Sequence, residues 1–242
     1  MDRPSAARTN EHGQPVGPPV DGWTTRPRPS DAPMQGRFCR LERFDAEQHL
    51  QALFAAYAED DGRMWTYLPW GPYPDAPAMA ASIESTAEVF QRFVIVAHGQ
   101  GPLGQASYMR HALAEGSVEV GAVVFAPRLQ RTPAATEAMY LMMRRAFETG
   151  YRRYEWKCDA LNAASRAAAL RLGFTFEGVF RQERIYRGRN RDTAWFSVLD
   201  SEWPALAGAF ERWLDPQNFD AAGRQRIPLG AMIAEARQSP RD

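Results

Sequence analysis

Lysine is nearly absent: of the 29 basic side chains in the 242-residue chain one is a lysine, Lys157, and the other 28 are arginines. The planar, permanently charged guanidinium is therefore the cation on hand wherever an anion must be gripped. An excess of either charge is absent too, since 29 acidic side chains balance the 29 basic ones and the isoelectric point lies near 6.9. Without a global positive field the chain lacks the attraction that non-specific nucleic-acid binding needs, and no nucleic acid is expected as partner. Cysteine is scarce. Cys39 and Cys158 stand far apart and outside any Cys-x-x-Cys, which excludes a disulfide framework and a cysteine zinc site and fits a reducing cytoplasm. No apolar run reaches the roughly 20 residues that crossing a bilayer requires, and Met1-Asp2-Arg3-Pro4 opens no apolar signal region, so neither membrane nor secretion is expected. His12, His49, His98 and His111 show no ligand spacing, so no metal is expected. G-x-S-x-G, P-loop and H-E-x-x-H motifs are missing as well.

What is present is 45% hydrophobic residues, enough for a real core. Residues 1–36 are rich in Pro, Gly, Arg and Asp without apolar period and are expected to form a mobile arm, with Trp23 as its anchor. Alternation over Arg37–Phe44 predicts a first strand, and Asp45 with Gln48 predicts a capping-box helix start. Further strands are expected at 93–97, 104–110, 117–125, 154–159, 176–186 and 192–199. Helices are expected at 77–91, from Pro133 to Gly150, from Asn162 to Gly173, and at 203–214. The 133–150 helix has Thr132 as N-cap and Pro133 at its first position. Strands on either side of two crossover helices predict an α/β (α+β) domain over 37–203 around one mixed, largely antiparallel sheet. Residues 204–242 are expected as a helical extension packed on or trailing the domain, with an undetermined tail beyond the helix.

Two signals suggest chemistry that their context denies. Gly99-Gln100-Gly101-Pro102-Leu103-Gly104 matches a dinucleotide fingerprint, yet Pro102 and the residues after it predict a turn and a strand where that motif needs a helix; a hairpin loop is expected. Cys158 shares a strand face with Tyr154 and Trp156, which predicts a buried thiol and no nucleophile. Two other signals carry more. The strand ending at Phe125 turns over Ala126–Thr132 into a helix N-terminus, an arrangement that gathers unpaired N–H groups into an anion site, with Gln130, Arg131 and Thr132 adding side-chain donors. The run from Met64 to Pro74 is too broken by proline for a regular element and too aromatic for a plain linker.

The segments Glu119-Val120-Gly121, Pro127 to Ala138, Asn162-Ala163-Ala164-Ser165-Arg166, Leu172-Gly173-Phe174, Glu177 to Arg181 and Arg189 to Asp192 together resemble the GNAT acetyltransferases, in order and spacing, over about residues 37–203. Within them the chain resembles most the branch that includes the ribosomal-protein N-terminal acetyltransferases of the RimJ/RimL type. The resemblance implies acetyl-CoA as co-substrate, with pantetheine along the 117–125 strand at Val123, Val124 and Phe125. It places the diphosphate on Gln130, Arg131, Thr132, Pro133, Ala134, Ala135 and Thr136, with Asn162, Ser165, Arg166 and Arg171 also on the donor. A longer acyl donor such as succinyl stays open. The family's loop pattern is Gln/Arg-x-x-Gly-x-Gly/Ala; here proline replaces the first glycine and removes one N–H, a loss of about 1.5–3 kcal/mol that Arg131 or the Thr132 hydroxyl would offset.

By the same resemblance an amine attacks the thioester directly. Glu119 leads as base, with Glu183 and Asp192 as alternatives, and a backbone N–H near Val124 or Phe125 faces the oxyanion. The tyrosine that much of the family uses as thiolate acid is replaced by Ala169, and Ser165 is the expected substitute. Trp65, Tyr67 and Trp70 are expected around the acceptor, a protein N-terminus, an amino acid or a small amine. A homodimer is the commonest assembly to expect. Two other readings stand beside the enzyme, an acyl-CoA-binding module without turnover and a protein-interaction domain.

Overall fold

The computed structural model describes residues 8–238; residues 1–7 of the expected arm and 239–242 of the expected tail lie outside the described residues. Strands β1 (Arg8–Thr9) and β2 (Pro15–Val16) pair with each other. The other eight strands form one sheet: β3 (Met34–Gln35), β4 (Cys39–Arg43), β5 (Gln91–Ala97), β6 (Gly101–Ala112), β7 (Ser117–Phe125), β8 (Arg153–Asp159), β9 (Thr175–Tyr186) and β10 (Arg189–Leu199). Their order is β3-β4-β5-β6-β7-β8-β10-β9, and every neighbouring pair is antiparallel except β7 and β8, which run parallel. This is the expected mixed, largely antiparallel sheet. The helices are α1 (Ala46–Tyr57), α2 (Ala76–Glu84), α3 (Pro133–Glu148), α4 (Ala163–Arg171), α5 (Trp203–Leu214) and α6 (Leu229–Gln238).

A parallel pair needs a crossover, and α3 supplies it between β7 and β8. Ala138, Met139, Met142, Met143 and Ala146 bury the inner side of α3, and the buried Tyr108 hydroxyl of β6 donates to the Met142 carbonyl at 2.6 Å. Helix α1 starts at Asp45, whose Oδ1 accepts the Gln48 N–H at 3.0 Å. The reciprocal half of the expected capping box differs. The Gln48 amide donates to Asp45 Oδ2, and the Asp45 N–H goes to Nδ1 of the buried His49, whose Nε2 meets Glu42. The glycine-rich run makes the turn between β5 and β6, with Gly99 and Gly101 at φ of 75° and 83°, so the hairpin reading holds.

Both ends of the chain differ from a composition-based reading. From Trp23 onward the expected arm lies against the domain: Trp23 Nε1 donates to the Ala114 carbonyl at 2.6 Å, Tyr151 Oη to Pro27 O at 3.0 Å and Gln91 Nε2 to Pro29 O at 2.6 Å. Arg145 binds the carbonyls of Ser30, Ala32 and Pro33, and β3 joins the sheet edge. Such a segment needs no apolar period, because distant side chains satisfy its carbonyls. After α5 the sequence pattern predicts no element, yet α6 forms and buries Leu229, Met232 and Ile233. Packing on α5 supplies what the propensity of this short helix alone does not. At the opposite rim, β9 carries irregularities against β10 and residues Gly178 and Gln182 at φ of 153° and 52°.

Candidate active site

The pairing of β7 with β8 runs from Ser117↔Arg153 to Val120↔Trp156 and stops, while β7 continues to Phe125 and β8 to Asp159. β8 keeps its other neighbour, β10, along its whole length. The two strands therefore diverge, and the backbone of residues 121–125 faces the gap without a strand partner. A bulge drives the divergence: Ser107 faces Gly121 and Gln105 faces Val124, so Ala106 stands opposite both Ala122 and Val123, and Ala122 takes a φ of 50°. A left-handed alanine is costly, by about 1–3 kcal/mol, and such strain collects at functional sites. The Ala126 N–H donates back to Leu103 on β6, so by alternation Val124 also faces β6 while Val123 and Phe125 face the gap. Of the two candidate oxyanion donors this favours Phe125.

The gap ends at the start of α3. Arg131, at φ 61°, turns the chain into Thr132, whose Oγ1 accepts the Ala135 N–H at 3.2 Å and donates to Leu129 O at 2.6 Å. The Thr136 N–H goes to the Thr132 carbonyl, and the Gln130 amide holds the Phe125 carbonyl at 2.9 Å. The cradle is thus thinner than its sequence suggests. Pro133 has no N–H, the Thr132 hydroxyl is already engaged, and among the described residues the Ala134 N–H and the exposed Arg131 guanidinium have no protein partner. Of the two groups expected to offset the proline, only Arg131 is left unengaged.

The sheet faces on either side of the gap differ in chemistry. On one face, Asn162 Oδ1 caps α4 through the Ser165 N–H at 3.0 Å, and the Ser165 hydroxyl accepts from Trp156 Nε1 at 3.0 Å. Having accepted from Trp156, the Ser165 hydroxyl has its proton to give, and in this structure that proton is directed at the Cys158 sulfur. Cys158 lies beside it, its thiol pushed up by burial, and Ala169 is fully buried in the core. Arg171 reaches the first turn of α3 and donates to Thr136 Oγ1 at 3.1 Å, whereas Arg166 turns away to the Ala160 carbonyl. The two arginines do not converge on one spot.

On the other face Glu119, 5% exposed, places Oε2 3.1 Å from Lys157 Nζ and 3.3 Å from Arg110 Nε. Burial raises its pKa from the ordinary carboxylate value, against the pull of Lys157 and Arg110. Asp192 is the opposite case: the Gln182 N–H at 2.7 Å and the Asn190 amide hold its carboxyl below the usual range. Glu183 accepts from Thr193 Oγ1 at 2.9 Å and from Arg184. Both line a cleft of about 760 Å³ on the β9–β10 hairpin with Phe180, Arg181, Gln182 and Asn190, apart from Glu119.

The aromatic segment divides. Trp65 is buried, edge-on to Tyr57 and Tyr73 at centroid distances of 5.6 and 5.4 Å, so it is core and not an open pocket wall. Trp70 packs edge-on to Phe90, and Tyr67 stays half-exposed. Arg189 ties the hairpin to this segment through the Thr66 carbonyl at 2.9 Å. Three residues near the gap escape sequence reasoning: Lys157, the buried Asp159 at the end of β8, and Tyr186, which donates to Asp159 Oδ2 at 2.7 Å. The one available signal was that Lys157 is the chain's sole lysine.

An opened parallel pair inside an otherwise antiparallel sheet, with a capped helix start at its mouth, is the frame of an acyltransferase. The profile of the acetyltransferase (GNAT) domain matches residues 39–175. A GCN5-related N-acetyltransferase from Brucella melitensis is 42% identical with a TM-score of 0.86, over 89% of this chain and 100% of that one. A probable GNAT-family acetyltransferase from Chromobacterium violaceum ATCC 12472 is 41% identical with a TM-score of 0.74, over 79% and 98%. The acetyl transferase of Salmonella typhimurium that modifies the N-terminal serine of ribosomal protein L7/L12 shares the fold at 18% identity and a TM-score of 0.60, over 69% and 99%. No curated protein matches the chain. The chain belongs to the GNAT acetyltransferase family, whose reaction is acetyl transfer from acetyl-CoA. Among the described residues no helix is long and apolar enough to cross a membrane.

Proposed function

We propose that this chain transfers acetyl from acetyl-CoA to a primary amine by direct attack, as a member of the branch that includes the ribosomal-protein N-terminal acetyltransferases. The single observation that carries the reading is the end of β7–β8 pairing at Val120↔Trp156, beside a helix start with an unpartnered N–H. The residues fit the donor: an extended arm completes the edge of β7 at Val123 and Phe125, and Arg131 with the Ala134 N–H meets a diphosphate. Acetyl-CoA, when bound, supplies the activated carbonyl. Asn162 orients the arm, and the Phe125 N–H stabilises charge developing on the carbonyl oxygen. Glu119 takes the amine proton, directly or through water, and Ser165 relays one from water to the departing sulfur, so that its own hydroxyl is restored. The branch assignment rests on the Asn162-Ala163-Ala164-Ser165 pattern. Arg181 and Arg187, exposed on the hairpin and without hydrogen-bond partners among the described residues, favour an acceptor with a carboxylate near its amine.

The test is mass spectrometry of a metabolite extract and a peptide mixture incubated with the protein and isotope-labelled acetyl-CoA. Labelled amines are expected; no labelled product together with intact acetyl-CoA overturns the reading. Two substitutions probe the donor side. Ser165→Ala is expected to lower turnover about 100-fold with little change in acetyl-CoA affinity, and an equal turnover removes Ser165 from catalysis. Pro133→Gly restores an N–H at the helix start and is expected to tighten acetyl-CoA binding about tenfold by calorimetry; an unchanged or weaker affinity counts against the missing donor.

A further inference from the structure

The only lysine of the chain is packed unlike a surface charge. The Lys157 side chain is 6% exposed, with Nζ 3.1 Å from Glu119 Oε2, 2.8 Å from Glu155 Oε2 and 3.6 Å from the centroid of the Trp195 ring. Partners on β7, β8 and β10 surround a compact ammonium with three rotatable donors, a demand that a planar guanidinium fork does not meet. Glu155 does not consume Lys157, because Arg153 takes its other oxygen at 2.7 Å and continues to Glu177 on β9 at 2.5 Å. Arg110 of β6 is the remaining charge on Glu119, at 3.3 Å.

The two oxygens of Glu119 are treated differently. Oε2 lies within ion-pair distance of both cations, without hydrogen-bond geometry to either. Oε1 accepts no hydrogen bond among the described residues and lies over Gly121, 3.2 Å from where a Cβ would stand. That Cβ would also meet Met109 Sδ at 2.5 Å, so only glycine leaves the space open. Gly121 is the first residue beyond the last β7–β8 pair.

We propose that Lys157 is a positioning residue for the transfer: by clamping Oε2 it keeps the Glu119 carboxylate ionised and turns Oε1 toward the opening between β7 and β8. The proposal rests on the transferase reading, in which Glu119 is the base. Lys157 touches no substrate and acts through Glu119 alone.

The experiment compares the full-length protein with its Lys157→Gln and Lys157→Arg variants. Glu119 is titrated by infrared difference spectroscopy against Glu119→Gln, and kcat/KM is followed against pH. An opposite charge at this range lowers a carboxyl pKa by about one to three pH units. Lys157→Gln is therefore expected to move both the Glu119 titration and the acid limb of the profile up by that amount, with acetyl-CoA affinity unchanged. Lys157→Arg keeps the charge, so it is expected to leave the limb in place while kcat falls. An unmoved titration in folded Lys157→Gln overturns the clamp. Should that variant fail to fold, Glu155→Gln serves instead: with one acid gone Lys157 bears on Glu119 alone, the titration is expected to move down, and an unmoved midpoint overturns the proposal. Loss of transfer to every amine in the wild type, with the infrared shift intact, overturns the transferase reading and not the clamp.

Discussion

Glu119→Gln is expected to lower kcat/KM for acetyl transfer by about 10²–10⁴-fold, the usual contribution of a positioned general base, the role proposed for Glu119. The substitution keeps shape and removes the proton acceptor. Burial raises the Glu119 pKa, and Lys157 and Arg110 only partly offset it. A base works ionised, so with Glu119 in that proposed role wild-type activity is expected to fall as the pH drops through this raised pKa, with the acid limb above the ordinary carboxylate range. In the glutamine variant that limb disappears. Steady-state rates across the pH range measure both effects. A variant that keeps the wild-type limb would transfer the role to Glu183 or Asp192, although Asp192, held low by the Gln182 N–H, is the weaker base.

The second large effect concerns stability and lies away from the gap. Glu137, buried on α3, accepts three consecutive backbone N–H groups at the start of β4: Arg37 at 2.7 Å, Phe38 at 2.6 Å and Cys39 at 3.0 Å. A Cβ on Gly36 would stand on the same carboxylate, so the chain can pass only as glycine. Glu137→Ala strands three donors at about 1–3 kcal/mol each where water cannot replace the acceptor. A loss of at least about 3 kcal/mol is expected from denaturant midpoints at unchanged slope. A loss below about 1 kcal/mol would show that the β4 start relaxes to water and that Glu137 does not pin it.

These two residues also mark what the sequence makes legible. The strand patterns, the Thr132–Pro133 helix start and the Asn162 cap are local, and the structure forms them where the spacing predicts. The order of motifs also carried the family, because order and spacing together are harder to meet by chance than any single motif. Glu137 sat in the same stretch without declaring itself, since its partners lie about a hundred positions away and appear only when β4 docks on α3. Trp65 misleads for a related reason. A proline-broken aromatic run suggests a lid, but whether a ring faces solvent or Tyr57 is decided by α1, which the run does not encode. Lys157, Asp159 and Tyr186 meet across three strands, and no local pattern announces that meeting.

The irregular outer strand β9 has a consequence for solubility. Twelve residues long, it leaves Ile185 84% and Phe180 54% exposed on the rim of the sheet. A straight rim of that length with greasy side chains would template itself and polymerise. The kinks at Gly178 and Gln182 break its backbone spacing into short stretches, so a neighbouring molecule finds no long ladder to zip onto.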